Sequence, residues 1–291
     1  QIPTSVSVMT RQRIEEQNLI SVADALNQLT GITVTSNDGT QSQYRARGYT
    51  MGVMNDGVPA YNASSGYQQY DLSIYERLEV LRGPGGVLQG SGDPGGTINY
   101  VRKRGLDEFA ATASASAGSW DNYRVATDVG GPLNQSGTLR GRVVGSWQDR
   151  TYHWHYTTND RWLGYGALDW DLGEDTTLSL TLTHQDDETH APYSGLPAWS
   201  TGELLDVPRD TNIIPPWAKY LWQTDDYRLG LEHRFGNDWT IKTQLAQTDQ
   251  RFFFHDAYSA DGVRASDNSI PYARREYDYN YLRRAADIFA T

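Results

Sequence analysis

The 291-residue sequence contains no cysteine, so no disulfide staples its fold. It also lacks any run of about 18 apolar residues, which excludes a membrane-spanning helix. That absence leaves a membrane protein open, because a transmembrane β-strand needs only about 9–11 residues, half of them polar. Excess positive charge is missing too. The net charge is −11. Residues 1–104 hold nine Lys/Arg against nine Asp/Glu, so the whole acid excess lies in 105–291. Nucleic-acid binding by a basic face is therefore unsupported. No Ser/His/Asp or paired-carboxylate arrangement stands out, which leaves an enzyme without a visible catalytic group. No signal-peptide pattern opens the chain, and Gln1 reads as a position inside a mature chain.

What is present in quantity is glycine, with 28 residues, and aromatic side chains, with 19 Tyr and 9 Trp. Glycine concentrates in the run from Tyr75 to Arg104. Gly83, Gly85, Gly86, Gly90, Gly92, Gly95 and Gly96 lie there between the β-prone segments Leu78–Leu81 and Thr97–Val101, with Pro84 and Pro94 among them. Such density supplies backbone that turns tightly or passes close to other backbone, and the prolines oppose a continuous helix. Gly90, Gly92 and Gly95 spell GxGxxG. A dinucleotide fingerprint needs a helix opening at its last glycine, whereas Thr97-Ile98-Asn99-Tyr100-Val101 is a strand pattern.

Before that run the chain reads as short mixed elements: a strand over Ile2–Met9, a short helix capped by Thr10, and a clearer helix capped by Ser21 with Asp24 completing a capping box. Gly31 sits where a helix C-cap belongs. Strands are expected at Ile32–Thr35, Tyr44–Tyr49 and Gly52–Asn55, with a turn at Thr50-Met51, and Asp71 caps a further helical turn.

After Arg104 the pattern changes to period two. Leu178, Leu180 and Leu182 alternate with Ser179, Thr181 and Thr183, as do Tyr227, Leu229 and Leu231 with Arg228, Gly230 and Glu232. Ala111–Ala117 and Trp239–Leu245 follow the same template, Leu139–Gln148 and Trp162–Asp171 follow it less cleanly, and an eighth strand starts near Tyr277–Phe289. Connections alternate in length. Gly131–Gly137, Leu172–Thr176 and Phe235–Trp239 are short, whereas Asp149–Asp160, Asp186–Asp226 and Asp256–Arg275 are long; of that longer class only the first member, Ser119–Asn122, is brief. One-ended loop length, with Trp147, Trp162, Trp170, Tyr227 and Trp239 near strand ends, points to an outer-membrane barrel with aromatic girdles. A soluble β-sandwich also alternates but gives no reason for that asymmetry.

Arg47-Gly48-Tyr49, Asp56-Gly57-Val58-Pro59 and the whole Tyr75–Arg104 run resemble the plug domain of TonB-dependent outer-membrane transporters, in the ferric-siderophore branch. Within that branch the chain resembles the ferric-coprogen/hydroxamate and pyoverdine-type receptors, with Gly195–Trp199 and Pro216–Tyr220 similar to segments of the hydroxamate ones. The resemblance implies a small α+β plug over 1–104, then the first seven to eight strands of a membrane β-barrel over 105–291. A complete barrel of this family has about 22 strands, so the chain reads as an interior piece that lacks the energy-coupling segment carried ahead of the plug.

The resemblance further implies a monomer in the bacterial outer membrane, in contact with its lipid. Its partners would be a ferric siderophore, of hydroxamate type, and the TonB energy-coupling complex of the inner membrane. No cofactor and no protein ligand to iron are implied, because the chelator fills the coordination sphere. Thr50, Met51, Tyr61, Tyr67, Trp199, Trp217, Tyr220 and Trp222 are the ligand-binding candidates, and Arg47 and Arg82 would be the plug side of a latch to barrel carboxylates. The plain alternatives are ordinary surface arginines and girdle or loop-packing tryptophans. The segment 186–226 carries Arg209 and Lys219 against eight carboxylates, which disfavours a triply negative ferric catecholate. His153 and His155 could begin a metal site, but no third ligand stands at a convincing spacing. The remaining alternatives are an importer of cobalamin, haem or a glycan, and a secreted β-rich binding module.

Overall fold

The computed structural model describes residues 5–36, 42–59, 71–83, 93–191, 195–236 and 239–290. It divides into two compact units, Gln1–Lys103 and Arg104–Thr291.

The first unit begins with β1 (Ser5–Thr10), α1 (Arg11–Glu16) and α2 (Val22–Asn27). The caps are those the sequence specifies. Thr10 accepts from the Arg13 amide, and the Ser21 hydroxyl and Asp24 carboxylate close a reciprocal capping box. Strands β2 (Ile32–Ser36), β3 (Ser42–Ala46) and β4 (Tyr49–Thr50) form a small antiparallel sheet. A second sheet contains β5 (Gly52–Asn55), β6 (Val58–Pro59), β7 (Tyr75–Arg82) and β8 (Gly96–Arg102), in the order β1-β7-β8-β5-β6. Met9, Ile14, Val22, Leu26, Leu78, Val80 and Ile98 are fully buried between the helices and this sheet. Asp71 is buried as well, and it caps a 3-10 turn at Leu72–Ile74 by accepting from the Ser73 amide at 2.8 Å.

The structure corrects two expectations. The hairpin turn after β3 lies at Arg47-Gly48, not Thr50-Met51. Ala46 pairs directly with Tyr49, and both turn residues have positive φ, 52° and 82°. That is the two-residue hairpin geometry that matches strand twist. The C-cap of α2 is Gln28 in a right-handed conformation, and Gly31 supplies its positive φ of 80° in the turn that leads into β2. The glycine run is followed by strand β8, so no helix receives the GxGxxG.

The second unit is one antiparallel meander of eight strands. It comprises β9 (Ala110–Gly118), β10 (Asn122–Pro132), β11 (Leu139–Thr151), β12 (Thr158–Gly173), β13 (Thr176–His190), β14 (Lys219–Arg234), β15 (Thr240–Ser259) and β16 (Tyr272–Ala290), each paired with its sequence neighbours. The turns at 133–138, 174–175 and 235–239 lie at one end, and the connections 152–157, 191–218 and 260–271 at the other. These outer connections are shorter than the alternation predicts, because the ladders continue past the last apolar pair. Beyond it the partners are polar, such as Glu188 with Lys219 at 2.7 Å and His184 with Asp225 at 2.7 Å. For the same reason the eighth strand begins at Tyr272.

The register separates two faces. One carries Tyr123, Val125 and Val129 on β10, Trp162 and Trp170 on β12, Leu178, Leu180 and Leu182 on β13, Tyr227, Leu229 and Leu231 on β14, and Ile241 and Leu245 on β15. Most of these side chains are exposed to a third or more, so the face is an uncovered apolar belt. The belt steps along the register, because Tyr227 pairs with Leu182 while Trp147 and Trp162 pair two rungs further toward the outer loops. Such a slope is what a belt level with the membrane shows on tilted strands. Trp162 and Trp170 stand eight residues apart on β12. At ~3.3 Å per residue and a tilt of ~40° they are separated by roughly 20 Å along the normal, close to the apolar height of an outer-membrane barrel. No helix among the described residues is long and apolar enough to cross a membrane.

Candidate functional site

The opposite face is polar, and many of its charges are paired. Arg161 donates to Asp187 at 2.6 Å, Arg142 holds Asp128 through two bonds of 2.8 and 2.7 Å, and Arg228 holds Asp226 at 2.9 and 3.1 Å. Toward the outer loops this face changes character. Rungs of β14, β15 and β16 align Tyr220 with Phe254 and Tyr277, and Trp222 with Phe252 and Tyr279. The ring centroids of Trp222 and Phe252 are 3.6 Å apart, and those of Phe254 and Tyr277 are 4.7 Å apart. Tyr279 and Tyr281 continue the stack at 5.9 Å. Tyr277, Tyr279 and Tyr281 keep 38–45% of their surface exposed. One rung below, the Gln250 amide donates to Thr224 at 3.1 Å and accepts from Arg283 at 2.9 Å. The result is a wall of flat aromatic faces bordered by hydrogen-bonding groups, suited to a large ligand with both apolar and polar parts.

The sequence-predicted residues divide among several places. Tyr220 and Trp222 belong to the wall, nearly fully buried behind its front ring faces. Trp217 does not. Its ring lies 4.4 Å from that of His255, with the Arg274 guanidinium 5.1 Å from its centroid. His255 pairs with Lys219 and stands on the face opposite Asp256 and Phe254. Trp217 therefore packs on the outward side of the sheet, and the strand parity that puts it there is invisible until the register is known. Trp199 is half-buried in an inter-loop bridge. Thr50 is exposed on β4, whereas Met51 is fully buried and donates its amide to Tyr44. Tyr61 and Tyr67 lie outside the described residues.

Arg47 and Arg82 come to the same corner of the first unit. The Arg47 guanidinium sits 4.0 Å from an ideal Cβ on Gly83, the residue after Arg82. Arg82 donates to Ser5 Oγ at 3.2 Å, and its Nε is buried with no partner among the described residues. Arg47 occupies a turn, contrary to its expected place in a β-run.

The outer connections are tied to one another. Trp199 and Val263 form a parallel bridge, with Ser200 N–H donating to Val263 at 2.8 Å and Val263 N–H to Ala198 at 2.9 Å. The Asn212 amide donates to the His155 carbonyl and to Thr157 Oγ1, both at 2.9 Å. His155 approaches Asp210 at 3.3 Å, while His153 packs against Trp154 in a tilted ring pair with centroids 4.2 Å apart. Both histidines thus have loop-packing roles. In the connection 260–271 the Ser269 amide donates to Asp267 at 3.0 Å, and the adjacent Ser269 side chain and amide hold the Asp267 carboxyl below its usual range.

Phe252, Phe254, Tyr277, Tyr279 and Tyr281 were missed by the sequence reasoning, although the spacing Tyr277-x-Tyr279-x-Tyr281 is itself a period-two signal. Residues 1–97 match the TonB-dependent receptor plug domain. The chain is 39% identical over 82% of its length to the ferric-pyoverdine M114 receptor of Pseudomonas sp. (strain M114), covering 30% of that protein. The chain belongs to the TonB-dependent receptors. It is 34% identical over 99% of its length to the ferripyoverdine receptor of Pseudomonas aeruginosa, covering 36%. The crystal structure of that organism's outer-membrane ferripyoverdine receptor bound to ferripyoverdine superposes with a TM-score of 0.94, over 99% of this chain and 39% of that one. The chain thus spans about a third of the length of the curated relatives it matches. As a TonB-dependent receptor it is an outer-membrane protein, and its eight-stranded sheet is part of a transmembrane β-barrel. Members of the family are receptors and transporters, not enzymes.

Proposed function

We propose that this chain forms the plug and the first barrel strands of a TonB-dependent importer of a ferric siderophore, with the aromatic wall of β14–β16 as part of the ligand site. The wall is the observation that carries the reading. It lies on the polar face of a membrane sheet at the outer-loop end, where an importer meets its cargo, and it offers stacking faces rather than net charge. Iron arrives chelated, so no protein ligand to the metal is needed and the substrate undergoes no chemistry. The receptor acts as a monomer, held by lipid at its apolar belt and driven by the inner-membrane energy-coupling complex.

The cargo that the relatives favour is a ferric pyoverdine, ahead of the trihydroxamate suggested by Gly195–Trp199 and Pro216–Tyr220. Titrating the receptor's intrinsic tryptophan emission with ferric pyoverdine, ferrioxamine B and ferric enterobactin tests both levels. Ferric pyoverdine should bind tightest. Tightest binding of ferrioxamine B would restore the hydroxamate class, and failure of all three would remove the siderophore reading.

Arg47 and Arg82 form the plug side of a charge latch, and the Arg82 Nε, buried without a partner among the described residues, supports this role. Arg82→Ala should leave ligand affinity within about threefold while uptake of the bound siderophore falls, because the substitution strands a carboxylate. Affinity lost with uptake per bound ligand intact would refute the latch.

A further inference from the structure

Pairing of β14, β15 and β16 brings the aromatic residues into rungs, but it leaves each side chain a choice of rotamers. What fixes the rings must come from side-chain contacts, and these converge on one group. Asp256 is 1% exposed. It accepts the Tyr220 hydroxyl from β14, and it accepts Arg275 from β16 through two parallel bonds, Nε to Oδ1 at 2.6 Å and Nη2 to Oδ2 at 2.8 Å. The clamped guanidinium in turn lies over the rings of Phe254 and Tyr258, 4.9 Å from each centroid, and 5.9 Å from that of Tyr277.

We propose that Asp256 is the positioning residue of the aromatic wall: through Tyr220 and Arg275 it sets the ring orientations on three strands and so prepares the wall for its ligand. This rests on the reading of the wall as part of the siderophore site. Two physical points favour a positioning role over plain stabilisation. A buried ion pair gives back much of its attraction in desolvation, so its main consequence is geometric. A bidentate Arg–carboxylate pair also fixes the guanidinium plane, and that plane sets the faces of the rings stacked on it.

The test uses the receptor with Asp256→Ala, Asp256→Asn, Tyr220→Phe and the double variant Asp256→Ala/Tyr220→Phe. Folding is checked by heat-modifiable gel mobility. Two properties are then read: near-ultraviolet circular dichroism without ligand, and affinity for ferric pyoverdine. Asp256→Ala should diminish the aromatic dichroism of a folded receptor and weaken binding by roughly tenfold, the scale of stranding a buried hydrogen-bonding partner. Adding Tyr220→Phe to it should weaken binding by less than about twofold more, since the hydroxyl would already have lost its acceptor. Unchanged dichroism and affinity in Asp256→Ala would overturn the proposal, as would losses that multiply in the double variant. If Asp256→Ala does not fold, Asp256→Asn is read by the dichroism and affinity criteria alone, because it keeps the volume and an acceptor for Tyr220 but loses the ion pair that clamps Arg275. Failure of ferric pyoverdine to bind the unaltered receptor would count against the ligand reading alone, and the dichroism would still decide whether Asp256 orders the rings.

Discussion

A Cβ placed on Gly96 would lie 2.0 Å from the Leu81 carbonyl oxygen, and the residue's φ of +112° is closed to other side chains. Its neighbour Gly95 would put a Cβ 2.5 Å from the Tyr49 carbonyl oxygen. The glycine density was legible in the sequence as close backbone approach, although the strands that approach were not. Gly96→Ala should therefore destabilise the first unit by about 2–4 kcal/mol, combining backbone strain with overpacking, seen as a lower urea midpoint. The aromatic residues divide by face in a way that composition cannot show. Trp222→Ala removes a ring stacked 3.6 Å from Phe252 and should weaken ferric pyoverdine binding by up to about tenfold. Trp217→Ala, on the outward side, should leave it unchanged in the same tryptophan-quenching titration. Equal losses in both variants would mean that the two faces do not separate function as the register separates side chains.

At the scale of elements, local signals were readable and register was not. The capping box Ser21–Asp24 and the alternation Leu178–Leu180–Leu182 depend only on near neighbours, and both stand where the sequence puts them. Strand ends beyond the apolar belt were lost, because there the ladder is held by pairs such as Glu188 with Lys219, which carry no hydrophobic period. Tyr277, Tyr279 and Tyr281 were hidden for a related reason: alternating aromatics reveal a strand but not the strand they face. The belt makes a direct test of face possible. Leu229→Arg places a charge among Leu180, Leu245 and the lipid, and should cost about 2–4 kcal/mol near the bilayer midplane. Gln244→Arg, on the other face opposite Asp287, should be tolerated. Urea unfolding in lipid vesicles compares the two, and a reversed order would exchange the faces.

The whole molecule combines two kinds of order. The second unit is laid out along a meander whose apolar face has no cover except lipid, whereas the first encloses its apolar residues. Met9, Ile14, Val22, Leu26, Met51, Leu78, Val80 and Ile98 are all fully buried. Its fourth and fifth strands in chain order lie in different sheets, so chain order alone could not give this topology. Charge separates the units as well: residues 1–103 carry a net charge of −1, and the remaining −10 lies beyond them. A domain of about this size with its own core can fold alone. Residues 1–103 expressed by themselves should accordingly be soluble without detergent and show mixed helical and strand dichroism. They should also unfold in urea with the modest slope of a ~100-residue domain, about 1 kcal/mol/M. Exposed apolar area is the deciding quantity. Val6 and Val8 on β1 are 57% and 43% exposed, yet the buried set outnumbers such positions, so a small patch rather than a belt faces water. Recovery of this segment only from detergent micelles would show that its apolar surface needs the barrel wall, and would move the boundary of the independent unit beyond Lys103.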